Sequence, residues 1–220
     1  MTRKNKLPEF PDSYIGHKSY EYDNSKWMER NQKKTAMRCL RYLFDKKLDM
    51  VGRGDILDNH SYLILDLGCG TGFSSEVLID SGFKVLGIDV LLDMITLAKN
   101  KKHYLEQGSN LNLILADIKH LPLRTESIDH IISISAYNFI LHNINHYKEK
   151  AISIDSTTKS LNKILKKNGR TIIEFYPNNE EELSLFQSSF TSNGFDGFMI
   201  KKNPKQRKGQ TYLLLKKSVM

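Results

Sequence analysis

The stretch Leu65-Asp66-Leu67-Gly68-Cys69-Gly70-Thr71-Gly72 decides the fold. An apolar run, Tyr62–Leu67, leads into it, and a helical pattern over Gly72–Ser81 leads out. Strand, glycine loop and helix in that order are the setting a nucleotide-binding loop requires. Glycine lets the backbone turn sharply and lets a ligand approach without meeting a Cβ. Asp66 stands just before the loop, where a carboxylate suits the ammonium of an amino-acid-bearing ligand and repels a phosphate. Asp89 ends the next apolar run, 19 residues beyond Gly70. That is close to the ~20 residues expected for a carboxylate that holds ribose hydroxyls.

Outward from the loop the chain alternates strand and helix. Strands are expected at Tyr62–Leu67, Phe83–Asp89, Leu111–Ala116, Ile128–Ser135, Arg170–Phe175, Phe195–Ile200 and Gln210–Lys216. Helices are expected at Gly72–Ser81, Leu91–Gln107, 137–166 with a break near Asn143–Asn145, and Asn179–Asn193. The predicted class is α/β, a Rossmann-like seven-stranded sheet, mostly parallel, with helices on both faces. No helix separates the last two strands, so they form a hairpin and place one antiparallel strand in the sheet. Upstream, residues 1–20 read as an irregular polar and aromatic arm, and 24–48 as a helix carrying Ala36, Leu40, Leu43 and Leu48. Residues 1–60 are thus an arm and helix packed on a single domain at 61–220.

The chain has 220 residues, of which 40% are hydrophobic, and a formal net charge of +8. That length suits one large domain, and the charge suits a polyanionic partner or a lysine-rich proteome. Two cysteines, Cys39 and Cys69, give neither a disulfide framework nor a zinc site, so no metal is expected. No apolar h-region follows Met1–Lys6 and no apolar stretch approaches 18 residues, so a cytoplasmic chain that neither enters nor crosses a membrane is expected.

The glycine loop, Asp89, the tripeptide Ala116-Asp117-Ile118 and Asp129 resemble, in that order, the motifs of class I S-adenosylmethionine (SAM) methyltransferases. The resemblance implies SAM as cofactor, with Asp66, Gly68, Cys69, Gly70, Gly72, Asp89, Val90 and Ser133 around it. It further implies that Asp117 accepts the adenine amino group and that Ile118 contacts the ring. A structural reading stays open for two residues, Asp129 as a strand-start cap and Cys69 as a small loop residue rather than a nucleophile.

Further segments resemble one family within that class, the guanine-N7 methyltransferases of small-subunit (18S-type) ribosomal RNA. They are Ser133-Ile134-Ser135-Ala136-Tyr137-Asn138-Phe139-Ile140, Glu174-Phe175-Tyr176-Pro177-Asn178, Ser192-Asn193-Gly194-Phe195-Asp196-Gly197 and Asn203-Pro204-Lys205-Gln206-Arg207-Lys208. Pro8-Glu9-Phe10 and Tyr22-Asp23-Asn24-Ser25 through Gln32 are similar too. The family's Ser-Ala-Val-Gln-Trp-Leu stands here as Ser135-Ala136-Tyr137-Asn138-Phe139-Ile140, which keeps an amide and an aromatic but moves tyrosine into the set. The chain ends at Met220 without the basic tail of the eukaryotic members, so a tailless, archaeal-like member is expected.

The chemistry agrees. Guanine N7 presents an in-plane lone pair and loses no proton before attack, so orientation rather than a general base is what a site must supply. Asn138 is the candidate for the guanine edge, with Tyr137, Phe139 and Tyr176 as aromatic walls. Lys201, Lys202, Lys205, Arg207 and Lys208, flanked by Lys216 and Lys217, are candidates for RNA phosphates of the small subunit or its precursor particle. The family implies a small zinc-binding activator protein, expected as a heterodimer partner along the apolar edge strand Leu111–Ala116. Two other readings share the cofactor motifs: a small-molecule methyltransferase, and a SAM-binding ribosome assembly factor that acts without catalysis.

Overall fold

In the computed structural model, residues 9–49, 61–202 and 210–218 are described. The elements are α1 (His17–Asp23), α2 (Lys26–Leu43), β1 (Leu63–Leu67), α3 (Phe73–Asp80), β2 (Lys84–Asp89), α4 (Leu92–Lys102), β3 (Leu111–Leu115), β4 (Ile128–Ile134), α5 (Tyr147–Ile164), β5 (Leu165–Phe175), α6 (Glu180–Ser192), β6 (Phe195–Lys201) and β7 (Thr211–Lys217). One seven-stranded sheet runs β3-β2-β1-β4-β5-β7-β6. Its first five strands are parallel, and β7 enters antiparallel between β5 and β6. The expected class, the strand count and the closing hairpin all hold.

Strand alternation divides the apolar residues between two cores. Leu65, Leu67, Ile131, Ile173 and Phe175 pack with α5 and α6 through Ile154, Leu161, Phe186 and Phe190. Ile64, Val85, Ile132, Ile172 and Leu214 pack on the other side with Ala36, Cys39 and Leu43 of α2 and Val77 and Leu78 of α3. The upstream helix α2 therefore completes the sheet's second cover. Ser25 caps it, its hydroxyl accepting from the Met28 N–H at 3.3 Å.

Some boundaries differ from the sequence reading. Residues 17–23 form a helix rather than an irregular arm; seven residues are too few for a periodicity to register. Tertiary contact holds it there, with the Gly16 N–H donating to the Asp93 carboxylate at 2.7 Å. The helical pattern over 137–166 divides into a 3-10 turn (Tyr137–Leu141) and α5, and the break falls where expected, at Asn143 with φ of 61°. Strand β5 begins five residues early, at Leu165, across a register shift against β4. Asp129 there accepts from the Leu63 N–H at 3.0 Å and pairs with Lys166 at 2.8 Å, which is the strand-start role.

The end of α2 is tied to the sheet by one buried cation. Arg170 is 1% exposed, and its guanidinium donates to Leu43 O at 2.8 Å, to Asp45 O at 3.3 Å and to the Asp49 carboxylate. These bonds satisfy a helix-end carbonyl that has no partner within its own helix. Arg170→Met keeps the bulk but strands the Asp49 charge and that carbonyl. We expect it to lower the unfolding free energy by about 3 kcal/mol, read as a drop in the urea midpoint at unchanged slope. A loss below about 0.5 kcal/mol, the range of ordinary surface changes, would remove Arg170 from this role.

Candidate active site

The loop after β1 takes its shape from three glycines and from the end of β2. Gly68, Gly70 and Gly72 have φ of 77°, 54° and 87°, in the left-handed region that side chains disfavour. The N–H groups of Gly68 and Cys69 both donate to Ile88 O, at 2.8 and 2.9 Å. The Gly70 N–H donates to the Asp89 carboxylate at 2.9 Å, and the other oxygen of Asp89 accepts from the Leu91 N–H at 2.9 Å. A Cβ on Gly68 would lie 2.2 Å from the Ala136 Cβ, so this glycine lets the ends of β1 and β4 meet.

Beside the loop is a cavity of about 300 Å³, lined by Gly68, Asp89, Val90, Leu91, Asp117, Ile118, Lys119, Ala136, Phe139, Ile140 and His142, with Phe10 and Pro11 across it. Of the residues assigned to a cofactor from sequence, it brings together Gly68, Asp89, Val90, Asp117 and Ile118. Burial raises the Asp89 carboxyl pKa above its ordinary value, against the pull of the backbone N–H groups around it. Each of its oxygens keeps a second lone pair for a hydroxyl. Asp117 accepts from the Lys119 N–H at 2.9 Å, which fixes its turn. Two carboxylates, with Val90 and Ile118 as apolar surfaces, suit a nucleoside carrying hydroxyls, an amino group and positive charge. The donor set therefore fits SAM.

Other assignments are corrected by burial. Asp66 is fully buried and does not line the cavity; it accepts from the Ser74 and Ser75 hydroxyls at 2.7 and 2.6 Å. Its second oxygen has no hydrogen-bond partner, and burial pushes its pKa up to about 6. Asp66 thus braces the start of α3 instead of meeting an ammonium directly. Ser133 is fully buried and donates to Leu67 O at 2.8 Å, joining β4 to β1 rather than touching a ligand. Cys69 is buried, and a Cβ on Gly87 would lie 2.9 Å from its Sγ. Burial pushes its thiol well above the usual value, as a structural residue should have it. Gly72 is the N-cap residue of α3.

On the acceptor side Tyr137 is corrected as well. It is fully buried, its ring 5.6 Å from that of Phe186 and 5.9 Å from that of Phe190, so it cannot stack on a base. Phe139 is the aromatic that reaches the cavity. Asn138 clasps the end of β5: its Nδ2 donates to Tyr176 O at 2.8 Å, and its Oδ1 accepts from the Tyr176 N–H at 3.1 Å. One N–H and one lone pair of the amide remain for a ligand. The Tyr176 ring does not line the cavity; its hydroxyl bonds to the buried Glu174, and burial raises its pKa.

Sequence reasoning missed the arm as a wall. Phe10 stacks on Phe139, with centroids 4.5 Å apart and planes 21° from parallel, and Tyr14 meets Phe139 edge-on at 5.9 Å. His142 meets Phe10 edge-on at 5.1 Å. The only signal was the cluster of aromatics at Phe10, Tyr14 and Tyr22. Two of the expected RNA-facing cations are also corrected. Lys216 is 1% exposed, and Lys217 donates to Asn162 O and Leu165 O at 2.8 and 2.6 Å. Lys205, Arg207 and Lys208 lie outside the described residues.

Comparison with known proteins adds an independent line. A methyltransferase-domain family model matches residues 58–214. The 18S rRNA (guanine-N(7))-methyltransferase of Bos taurus is 28% identical over 86% of this chain and 66% of its own length. The 18S rRNA (guanine(1575)-N(7))-methyltransferase of Saccharomyces cerevisiae is 28% identical over 94% of this chain and 69% of its own. This chain spans between about half and two thirds of the first curated relatives it matches. A crystal structure from Pyrococcus horikoshii shares the fold with a TM-score of 0.68 and 20% identity, over 96% of this chain and 100% of that one. The chain therefore belongs to the methyltransferase-domain family.

Proposed function

We propose that this chain methylates guanine N7 in small-subunit ribosomal RNA. The observation that carries the reading is the acceptor wall of the cavity. Phe10, Phe139 and His142 supply aromatic surface, and the Asn138 amide stands next to Phe139 on the same turn, outside the cavity lining itself. Guanine N7 has no proton to lose before attack and needs only to be held in line beside such rings. The names of the relatives point the same way.

Bound SAM supplies an electrophilic methyl on a sulfonium. Asp89 holds the ribose hydroxyls through its remaining lone pairs. Asp117 accepts the adenine amino group, with Val90 and Ile118 against the ring. Phe139 stacks on the target guanine, and the remaining N–H of Asn138 meets the guanine edge. Both residues sit on the turn after β4, and the Asn138–Tyr176 clasp ties that turn to the end of β5, which would hold the guanine in a fixed orientation.

The partner we propose for the opposite side is the family's small zinc-binding activator. Strand β3 is at the sheet edge, paired only with β2, and Leu115 on it is half exposed. An added strand would satisfy its free backbone groups.

Three outcomes are expected. Asp89→Ala should weaken SAM binding by ~1.5–3 kcal/mol, roughly ten- to a hundredfold, in calorimetry on a protein whose melting is checked in parallel; equal affinity would free Asp89 of the ribose. Small-subunit RNA incubated with the protein and SAM should gain 7-methylguanine by mass spectrometry. Asn138→Ala should slow that gain about a hundredfold while SAM affinity holds, and methyl transfer to small metabolites alone would sink the RNA reading. Co-expression with the activator should raise the soluble yield, with hydrogen-exchange protection at Leu111–Leu115. Protection confined to 201–208 would refute the edge assignment.

A further inference from the structure

The outer face of α2 has a one-sided charge. Its exposed residues are Lys26, Trp27, Arg30, Lys34, Met37 and Arg41, which recur at helical spacing along one stripe. The one carboxylate on that helix, Glu29, is paired within it rather than opposing the stripe. Glu29 is drawn aside by Lys33, which also reaches Glu76 of α3. Lys26, Arg30, Lys34 and Arg41 form no ion pair among the described residues. Like charges at this spacing repel, so the face is at its least stable with no polyanion on it.

The stripe continues to the closing hairpin. The Lys202 N–H donates to Gln210 O at 2.8 Å, closing the hairpin's base. Gln210 is fastened to α2: its Oε1 accepts from Arg38 at 2.9 Å and its Nε2 donates to Thr35 at 3.3 Å. Gln210 also donates to the buried Glu174 at 3.2 Å. Thr211 pairs with Phe175 at the end of β5, so this base stands at the same end of the strands as the glycine loop and the Asn138–Tyr176 clasp. Desolvation, then the charges of Arg38, Lys34 and Arg41, holds the Lys202 ammonium below its usual range, which marks these cations as neighbours.

Trp27 adds an aromatic to the cations. It is 68% exposed, between Lys26 and the turn bearing Arg30, and is the chain's single tryptophan. A ring so exposed contributes little to the core, but it offers a flat face on which an unpaired base can stack.

We propose that the outer face of α2, continued by Lys202, is an RNA-docking track: the phosphates of a single-stranded segment meet Lys26, Arg30, Lys34 and Arg41 while one base stacks on Trp27. Charge complementarity selects a polyanion, and the exposed indole selects unpaired nucleotides over duplex. The proposal rests on the reading of the chain as RNA-acting and adds where the RNA lies outside the cavity.

The test uses the full chain with SAM bound and a single-stranded small-subunit RNA fragment. Trp27 fluorescence should be quenched in step with binding, and less so by a duplex of the same sequence. The triple variant Arg30→Ala, Lys34→Ala, Arg41→Ala should bind the fragment at least tenfold more weakly, with a salt slope shallower by about 2. Its melting temperature and SAM affinity should match the parent's, because the changed side chains are exposed. Unchanged RNA affinity and slope in the triple variant, with the parent binding RNA, would overturn the track and leave the proposed reaction standing. A parent that binds no RNA overturns both. Quenching by polyglutamate as strong as by RNA would overturn the track too, assigning the face to an acidic protein.

Discussion

The structure depends most on the way the glycine loop is fastened to the end of β2. Three N–H groups in succession, from Gly68, Cys69 and Gly70, are taken by Ile88 O and the Asp89 carboxylate. That run of donors requires left-handed backbone at Gly68 and Gly70, which a side chain would strain. It also fixes Asp89 before any ligand arrives, because the carboxylate is held from two sides by backbone. A preformed site loses less entropy on binding than one that must be assembled. Asp66 contributes from beneath: its two serine bonds hold the first turn of α3 against the loop.

The acceptor side is arranged differently. There the walls come from distant segments, the arm at Phe10 and the turn at Phe139, joined by ring stacking rather than by a hydrogen-bond ladder. Stacking of this kind contributes about 0.5–1.5 kcal/mol beyond buried area, so this wall can part at modest cost. The Asn138–Tyr176 clasp is the rigid counterpart, fixing the turn to β5. A firm cofactor side thus faces a yielding acceptor side.

Charge is distributed along the same logic. The cations that structure needs are buried or paired: Arg170 ties α2, Lys217 caps carbonyls, Lys101 pairs with Asp23 and lies over Phe73. Lys26, Arg30, Lys34 and Arg41 on the outer face of α2 form no ion pair among the described residues. The hairpin base is tied to that face through Gln210, whose contact with Glu174 reaches Ser135, one residue from the cavity wall at Ala136. The basic surface and the site are thus joined by a continuous chain of polar contacts.

Most of the fold was legible in the sequence, because strand alternation, helical period and glycine placement are local. Seven strands, the helix break near Asn143, the antiparallel return and the loop with Asp89 follow from patterns a few residues long, while Asp117 and Ile118 came from the family resemblance. The site was legible only in that half. Tyr137, Asn138 and Phe139 are consecutive, and composition cannot say which ring turns inward; the 3-10 turn sends Tyr137 under α6 and Phe139 to the cavity. Ser133, Lys216 and Lys217 read as functional polar groups but are used up by carbonyls or by burial. Phe10 and α1 could not be placed at all, since their positions come from contacts with residues far along the chain, at Phe139 and Asp93. Local patterns determined the elements and the cofactor loop; which side chains face the acceptor was decided by packing between segments that sequence order does not bring together.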